Sequence, residues 1–423
     1  MTAPKRMLWA LAAGVLLGLV ARAVVPADSL TWFVDTFVQP VGQIFLRLLF
    51  MLVLPILFSA LVIGVSDVGV GHLGRLGGRM LGYTVLVSGI SVLIGVLLVN
   101  VLGPGRGLPD EVRAAATGGN APAPVKPPET KPVDFLVAMV PDNPVKAAAN
   151  GDMLAVIVFS LLFGLALAVT STPAVETLRT AIQGLYDVAM TMIDGVLRWV
   201  APIGVAALLF SLTTRLGPAV FRPILAYVGV VLLGLGLHMF GVYSLSVRFF
   251  GGMSPREFFR GARVAMLTAF STASSSATLP SAIKVAEENL RLPSHVARFV
   301  LTAGSAMNQN GTALFEGVTV LFLAQVYGIE LDLVRQIVIM GICVLGGIGT
   351  AGVPAGSLPV VAMILGMFGV PPEGLALILG VDRFLDMCRT TVNVTGDLAA
   401  AVFVARGERA PATGTPAAAS PAR

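Results

Sequence analysis

The stretch VDRFLDMCRTTVNVTGDL, residues 381–398, sets strong charges inside a long apolar run from about 372 to 406. It carries Asp382, Arg383, Asp386, Arg389 and Asp397. Asp382, Asp386, Arg389, Asn393 and Asp397 follow one another at intervals of 4, 3, 4 and 4 residues. At about 100° per residue, all five fall on one narrow helical face, and the remaining positions are apolar or small. A charge at the centre of a bilayer costs about 2.5–3.5 kcal/mol even on insertion scales. Such a stripe must therefore face other protein or a water-filled cavity. Internal salt bridges tying helices together are the bland alternative. Three acids, one arginine and one amide on a stripe point instead to a solute and ion site. On that face the acids outnumber the arginine, which leaves negative charge for a cation.

The composition agrees with a membrane-embedded helix of this kind. Of 423 residues, 56% are hydrophobic and only 12% are charged, with a mean hydropathy of +0.88. A soluble core cannot absorb that much apolar surface, whereas spans of about 20 apolar residues bury themselves in lipid. The period-two alternation of an outer-membrane barrel is absent. The net charge of +5 calls for no nucleic acid, because Lys and Arg cluster in short loops as orientation signals do. Cys343 and Cys388 both sit in apolar stretches, which argues against a disulfide framework.

Hydropathy predicts spans at about 7–25, 41–65, 80–102, 153–170, 181–212 and 223–247. The first is read as retained rather than cleaved. Arg75 and Arg79, and later Arg248, Arg256, Arg260 and Arg263, mark cytoplasmic ends. Nine prolines between Pro104 and Pro144 make the region 104–152 an external linker without chemistry of its own. Arg47 reads as an interface or packing residue. Asp187, Asp194 and Arg198 read as lying near the ends of span five or in a subunit interface, and His238 as a satisfied core or interface histidine, with a proton relay as its alternative role.

Beyond Arg263 the apolar segments are interrupted. STASSSATLP at 271–280 breaks a helix: Ser and Thr cap, and Pro280 suits the first turn of the next half. The span at about 296–326 is cut by NQNGT at 308–312, an unwound turn whose carbonyls suit a cation. Glu316 follows Thr312 by four residues, on the same face where the helix resumes. At about 334–368 the run GGIGTAGVPAGS, 346–357, is too rich in Gly around Pro to continue a helix. Two broken elements in corresponding places point to a transporter's midplane site. The fold class is therefore an all-α polytopic membrane protein.

Four ordered motifs, SSSATLP at 274–280, NQNGT at 308–312, GTAGVP at 349–354 and DMCRTTVNVTGD at 386–397, carry a family resemblance. The chain resembles the dicarboxylate/amino acid:cation symporters, which include the glutamate transporters. The resemblance implies eight transmembrane spans, two re-entrant hairpins, inverted repeats, a homotrimer and elevator transport. Residues 1–79 (spans one and two) and 153–215 (four and five) would be scaffold. Residues 80–103 (span three) and 216–406 would be the transport domain, and 407–423 a disordered cytoplasmic tail. It further implies an inner (plasma) membrane location and no enzymatic activity.

Site roles follow from the same resemblance. Arg389 would hold a substrate side-chain carboxylate, for which a planar guanidinium is well suited, and Asp386 the substrate amine. Thr312, Thr390 and Asn393 would be polar contacts. Ser275 and Ser276 would hold the α-carboxylate, with Val353 and Ser357 contacting substrate from the second hairpin. Asp397, with carbonyls of Gly304, Asn308 and Asn393, would form a candidate sodium site.

Departures from the family pattern bear on the coupling ion. Gln309 and Asn310 stand where Met and Asp are common, and that Asp serves a deeper sodium site. Thr84 and Val87 replace two further ligands there, while Ser88 is kept. Ala273 and Met387 occupy the two places where family members carry an arginine. Losing a carboxylate weakens a hard-cation site. Glu316 matches a proposed proton carrier, and an apolar span favours its uncharged form. The expectation is a symporter of acidic amino acids coupled to protons, with sodium as the alternative ion and a C4-dicarboxylate as the alternative substrate. No cofactor is expected, and the only partners are the small-molecule substrate, lipid and identical subunits. An ion channel fits the gated hairpins less well. A serine enzyme lacks a nearby base.

Overall fold

The computed structural model describes residues 3–67, 75–107, 140–150, 153–349, 357–371 and 374–406. Among these there is no β-strand, and the chain is helical almost throughout. In order the helices are α1 (Ala3–Val24), α2 (Ala27–Phe33), α3 (Gln39–Asp67), α4 (Arg75–Leu102), α5 (Pro144–Asn150), α6 (Met153–Val169), α7 (Pro173–Gly195), α8 (Ala201–Leu216) and α9 (Phe221–Gly236). They continue as α10 (Pro255–Thr272), α11 (Ser275–Lys284), α12 (Ser294–Met307), α13 (Asn310–Val326), α14 (Leu333–Gly349), α15 (Ser357–Met367) and α16 (Leu375–Ala405). Wider π-turns join α2 to α3 and α7 to α8, and carry α9 on to Phe250. Among the described residues, three stretches, Leu76–Leu102, Pro173–Arg215 and Phe221–Phe250, are long and apolar enough to cross a membrane.

The helices pack in two groups. In one, α3 lies along α6, α7 and α8, and α1 along α8. A Cβ added at Gly14 of α1 would stand 2.6 Å from the Ala206 carbonyl of α8, so only glycine permits that approach. In the other group α16 is the hub, touching α9, α10, α11, α12 and α13, while α4 lies against α9, α13 and α14. The groups meet where α14 and α15 touch α3, and where α8 touches α16.

Hydrogen bonds gather the helix ends into two sets. Arg79, early in α4, donates to the Phe403 carbonyl at the end of α16 (3.0 Å). Arg406 donates to the Phe249 carbonyl (2.6 Å). Elsewhere, Arg22 at the end of α1 donates to the carbonyls of Thr214 (2.9 Å) and Arg215 (2.8 Å), capping the end of α8. Arg215 in turn pairs with Asp35.

Several local expectations need correction. The break in 271–280 falls at Ala273, which is left-handed (φ 49°, ψ 39°), and at Ser274, whose hydroxyl accepts from the Ala277 N–H (3.2 Å). Pro280 lies inside α11 rather than in its first turn, because the serine cap starts the helix five residues earlier. Helix α14 runs on to Gly349 through Gly346 and Gly347. Those glycines serve close packing: added Cβ atoms would come 3.0 Å from Val360 and 3.4 Å from Ala313 respectively. The fifth apolar helix begins at Pro173 because Thr172 caps it (3.3 Å to the Val175 N–H). Asp187 and Arg198 thus lie well inside it on exposed faces. Arg47 is exposed. His238 is fully buried, yet neither ring nitrogen has a hydrogen-bond partner; it stands edge-on to Tyr243 at 4.7 Å. The side chain of Asp194, the linker over 108–139, the GTAGVP motif from 350 onward, Val353 and the tail over 407–423 lie outside the described residues.

Candidate functional site

The charged stripe of α16 is buried where the interrupted helices meet. Asp382, Asp386, Arg389, Thr390, Asn393 and Asp397 are all buried. Arg389, only 1% exposed, donates from Nη1 to Asp382 (3.0 Å) and from Nε to Asp386 (3.0 Å). Its carbon centre lies 4.0 Å from the ring centroid of Phe315. That stacking suits a guanidinium, which is weakly hydrated and attracted to an aromatic face. Nη2 approaches Asp386 at 3.0 Å but lacks hydrogen-bond geometry, so one donor edge of the fork carries no hydrogen bond.

The charge balance differs from the expectation. Arg383, off the stripe, approaches Asp386 at 3.7 Å because residues three apart are neighbours on a helix. Two acids and two arginines then balance, and the carboxylate left without a basic partner in this cluster is Asp397. Asp397 Oδ1 accepts from Asn308 Nδ2 (3.0 Å).

The interruption at Asn308 and Gln309 is two residues long, with φ,ψ of −99°, 60° and −94°, 56°. Asn393 fastens it to α16. Its Oδ1 accepts from the backbone N–H of Gly311 (2.7 Å) and Thr312 (3.3 Å), capping the start of α13. Its Nδ2 donates to Gln309 Oε1 (2.5 Å) and Thr312 Oγ1 (2.9 Å). All four hydrogen-bonding positions of this amide are thereby in use. The approach depends on Gly311, where a Cβ would fall 2.7 Å from the Arg389 carbonyl. Gly311→Ala is expected to destabilise the folded protein by about 1–3 kcal/mol through overpacking. Thermal unfolding of the purified variant checks this, and an unchanged midpoint refutes it.

Below the interruption, Gly304, Asn308 and Asp397 converge: a Cβ on Gly304 would stand 2.8 Å from Asp397 Oδ1. Asn308 Oδ1 is buried without a hydrogen-bond partner. An orphaned buried acceptor beside a carboxylate suits a hard cation, which takes oxygen ligands. Asn393 lies further along α16, bonded to Gln309 and Thr312.

The deeper position is a neutral network. Asn310 Oδ1 accepts from Ser88 (2.5 Å) and its carbonyl from Ser91 (2.8 Å). Its Nδ2 donates to the Tyr243 hydroxyl (3.0 Å), which donates to the Val392 carbonyl (3.1 Å). Gln309 likewise donates to the Ser305 carbonyl (2.8 Å).

The remaining expected residues are distributed as follows. Ser275 and Ser357 are buried, each with a hydroxyl that has no partner, while Ser276 is exposed. Thr312 bonds Asn393, and Thr390 is buried beside Arg389. Glu316 is buried in α13 facing α14, with Oε2 3.3 Å from where a Gly346 Cβ would sit. Phe315 and Tyr243 were missed from the sequence. Each contacts the cluster from another helix or from off the polar stripe, and an apolar run gives no sign of that.

Interrupted apolar helices closing round a buried ionic cluster define a helical membrane protein built to carry a polar solute. The chain belongs to the sodium:dicarboxylate symporter family, whose model matches residues 4–407. It is 32% identical over 407 residues to a proton/sodium-glutamate symport protein of Geobacillus stearothermophilus, covering 95% of this chain and 94% of that one. It is likewise 32% identical to the proton/glutamate-aspartate symporter of Escherichia coli (strain K12), covering 95% and 92%. A C4-dicarboxylate transport protein of Laribacter hongkongensis is 31% identical, covering 89% and 85%.

Proposed function

We propose that this chain is a secondary active symporter that takes up glutamate or aspartate with cations, protons being the coupling ion. The observation that carries this reading is Arg389, buried between Asp382 and Asp386 with one donor edge to spare. A side-chain carboxylate of substrate would accept from that edge, while Asp386 would take the amine. The hydroxyls of Ser275 and Ser357 would supply partners for the rest of the molecule, with Ser276, Thr312, Thr390 and Asn393 lining the same space; Val353 is kept as a substrate contact on the family resemblance alone. Uptake into vesicles with an imposed proton or sodium gradient is the direct test. Uptake of succinate but not aspartate would give the protein to the C4-dicarboxylate reading that one relative's name suggests.

Proton coupling is assigned to Glu316. The deeper cation position holds Asn310, whose oxygen is already engaged by Ser88. Sodium is the second reading, favoured by the orphaned Asn308 oxygen beside Asp397. Gly304, Asn308, Asn393 and Asp397 would hold it.

The architecture proposed is eight spans, formed by α1, α3, α4, α6, α7–α8, α9 with its continuation, α12–α13 and α16. The pairs α10–α11 and α14–α15 would be re-entrant hairpins, in the inner membrane of the cell. The two packing groups would be scaffold and transport domain, in a trimer working as an elevator. The contact of α14 and α15 with α3, while α10 and α11 pack on their own group, fits a transport domain lowered toward the cytoplasm. The helix-end sets tied by Arg79 and Arg406, and by Arg22, would be inner and outer. Cysteines placed at Arg106 and at Arg256, both exposed, are expected to react with an impermeant thiol reagent from opposite sides. Labelling of both from outside sinks this topology.

A further inference from the structure

Helix α10 presents a stripe that the substrate site does not use and whose joined basic and apolar halves the orientation of the chain does not require. Arg256, Arg260 and Arg263 are exposed and have no acidic partner among the described residues. Val264, Leu267 and Phe270 continue the stripe and are 56%, 57% and 37% exposed. At about 100° per residue, these six lie within an arc of about 120°. Phe258, Ala262, Ala265 and Ala269 occupy the opposite face and are buried. Glu257, exposed at the edge of the arc, is the one acid beside three arginines. Just before the helix, Arg248 is exposed, with Phe249 and Phe250 exposed by 65% and 61%.

The order along the axis is what discriminates. At about 1.5 Å per residue, the three cations span about 10 Å and the apolar trio the next 9 Å or so. A water-facing helix would not expose Val264, Leu267 and Phe270 together. A protein-covered one would not leave three arginines without counter-charges. A lipid leaflet matches both halves, with headgroups beside the arginines and acyl chains beside the apolar trio. Exposed Phe249 and Phe250 suit the interfacial level. We infer that this face of α10 is a binding site for anionic phospholipid, its headgroup phosphate held by Arg256, Arg260 and Arg263. Guanidinium groups suit phosphate because their paired donors match its oxygens.

The inference rests on the chain's membrane placement alone, not on the substrate or ion proposed above. Its test reads lipid rather than transport, so either can fail without the other. The full-length chain is reconstituted in vesicles of phosphatidylcholine with phosphatidylglycerol, re-extracted in mild detergent, and the lipid retained per chain is counted. Wild type is expected to retain phosphatidylglycerol in preference, with about five-fold per arginine. R256Q, R260Q and R263Q are expected to lower that preference stepwise, and their combination to remove most of it. The triple lysine variant, which keeps the charge and loses the paired donors, is expected to keep part of it. Retention in simple proportion to supply overturns the assignment, as does wild-type preference in the triple glutamine variant. Should that variant fail to fold, single variants with no stepwise loss overturn it equally. Loss of the bound lipid to inorganic phosphate, but not to chloride at the same ionic strength, would give the site to free phosphate instead.

Discussion

Arg389→Cys is expected to abolish uptake of glutamate and aspartate. The substrate's side-chain carboxylate would enter a buried site and find no donor. Leaving one such group unsatisfied costs about 1–3 kcal/mol, and more when it is charged, so affinity falls by about five- to more than a hundred-fold. The loss is deepened because Asp382 and Asp386, which now face Arg389 at 3.0 Å, would be left as two buried acids without it. Breaking a buried pair from one side is costlier than never having built it. A folded variant is distinguished from a misfolded one by whether it still binds a neutral amino acid, which needs no such donor. Asp386→Asn provides the complementary control: it removes the partner for a substrate amine and should spare a dicarboxylate. Unchanged aspartate uptake in Arg389→Cys would remove Arg389 from the substrate site altogether.

Glu316→Gln is expected to separate uptake from the proton gradient. The carboxyl is completely buried, and it faces α14, one arm of the second proposed hairpin. A proton taken up there with substrate and released on the other side would be carried once per cycle. In the glutamine variant, net uptake driven by an inward proton gradient should fall to background. Exchange of internal for external substrate, which needs no net proton movement, should persist. Wild-type uptake should accordingly rise as the external solution is made more acidic, since the loaded carrier is the protonated one, and the variant should lose that dependence. Uptake that requires sodium and ignores pH would move the coupling to Asp397 and Asn308.

The two experiments probe different kinds of residue, and that difference tracks what could be read directly. The helical period makes the α16 stripe legible: spacings of 4, 3, 4 and 4 in an apolar run can be satisfied only by one buried polar face. The interruptions are legible for the same kind of reason. Serines before a half-helix, and Asn-Gln-Asn-Gly within a span, forfeit backbone hydrogen bonds that only caps can restore. Their exact places were less so. Pro280 drew the break toward itself, but the chain reverses at Ala273, where the serine cap follows at once.

The sequence by itself determined a helical membrane protein with its polar chemistry on α16 and at the interruptions, because hydropathy and period are local properties of a chain in lipid. Only the tertiary structure decided how those groups are paired. Asn393 spends its whole amide on the neighbouring helix, and Asn310 is held by Ser88 and Tyr243 from two others. Phe315 supplies a ring beneath Arg389. Each of these contacts joins groups whose distance is set by helix packing. In a low-dielectric interior the partner a charge or amide finds decides what remains for a ligand.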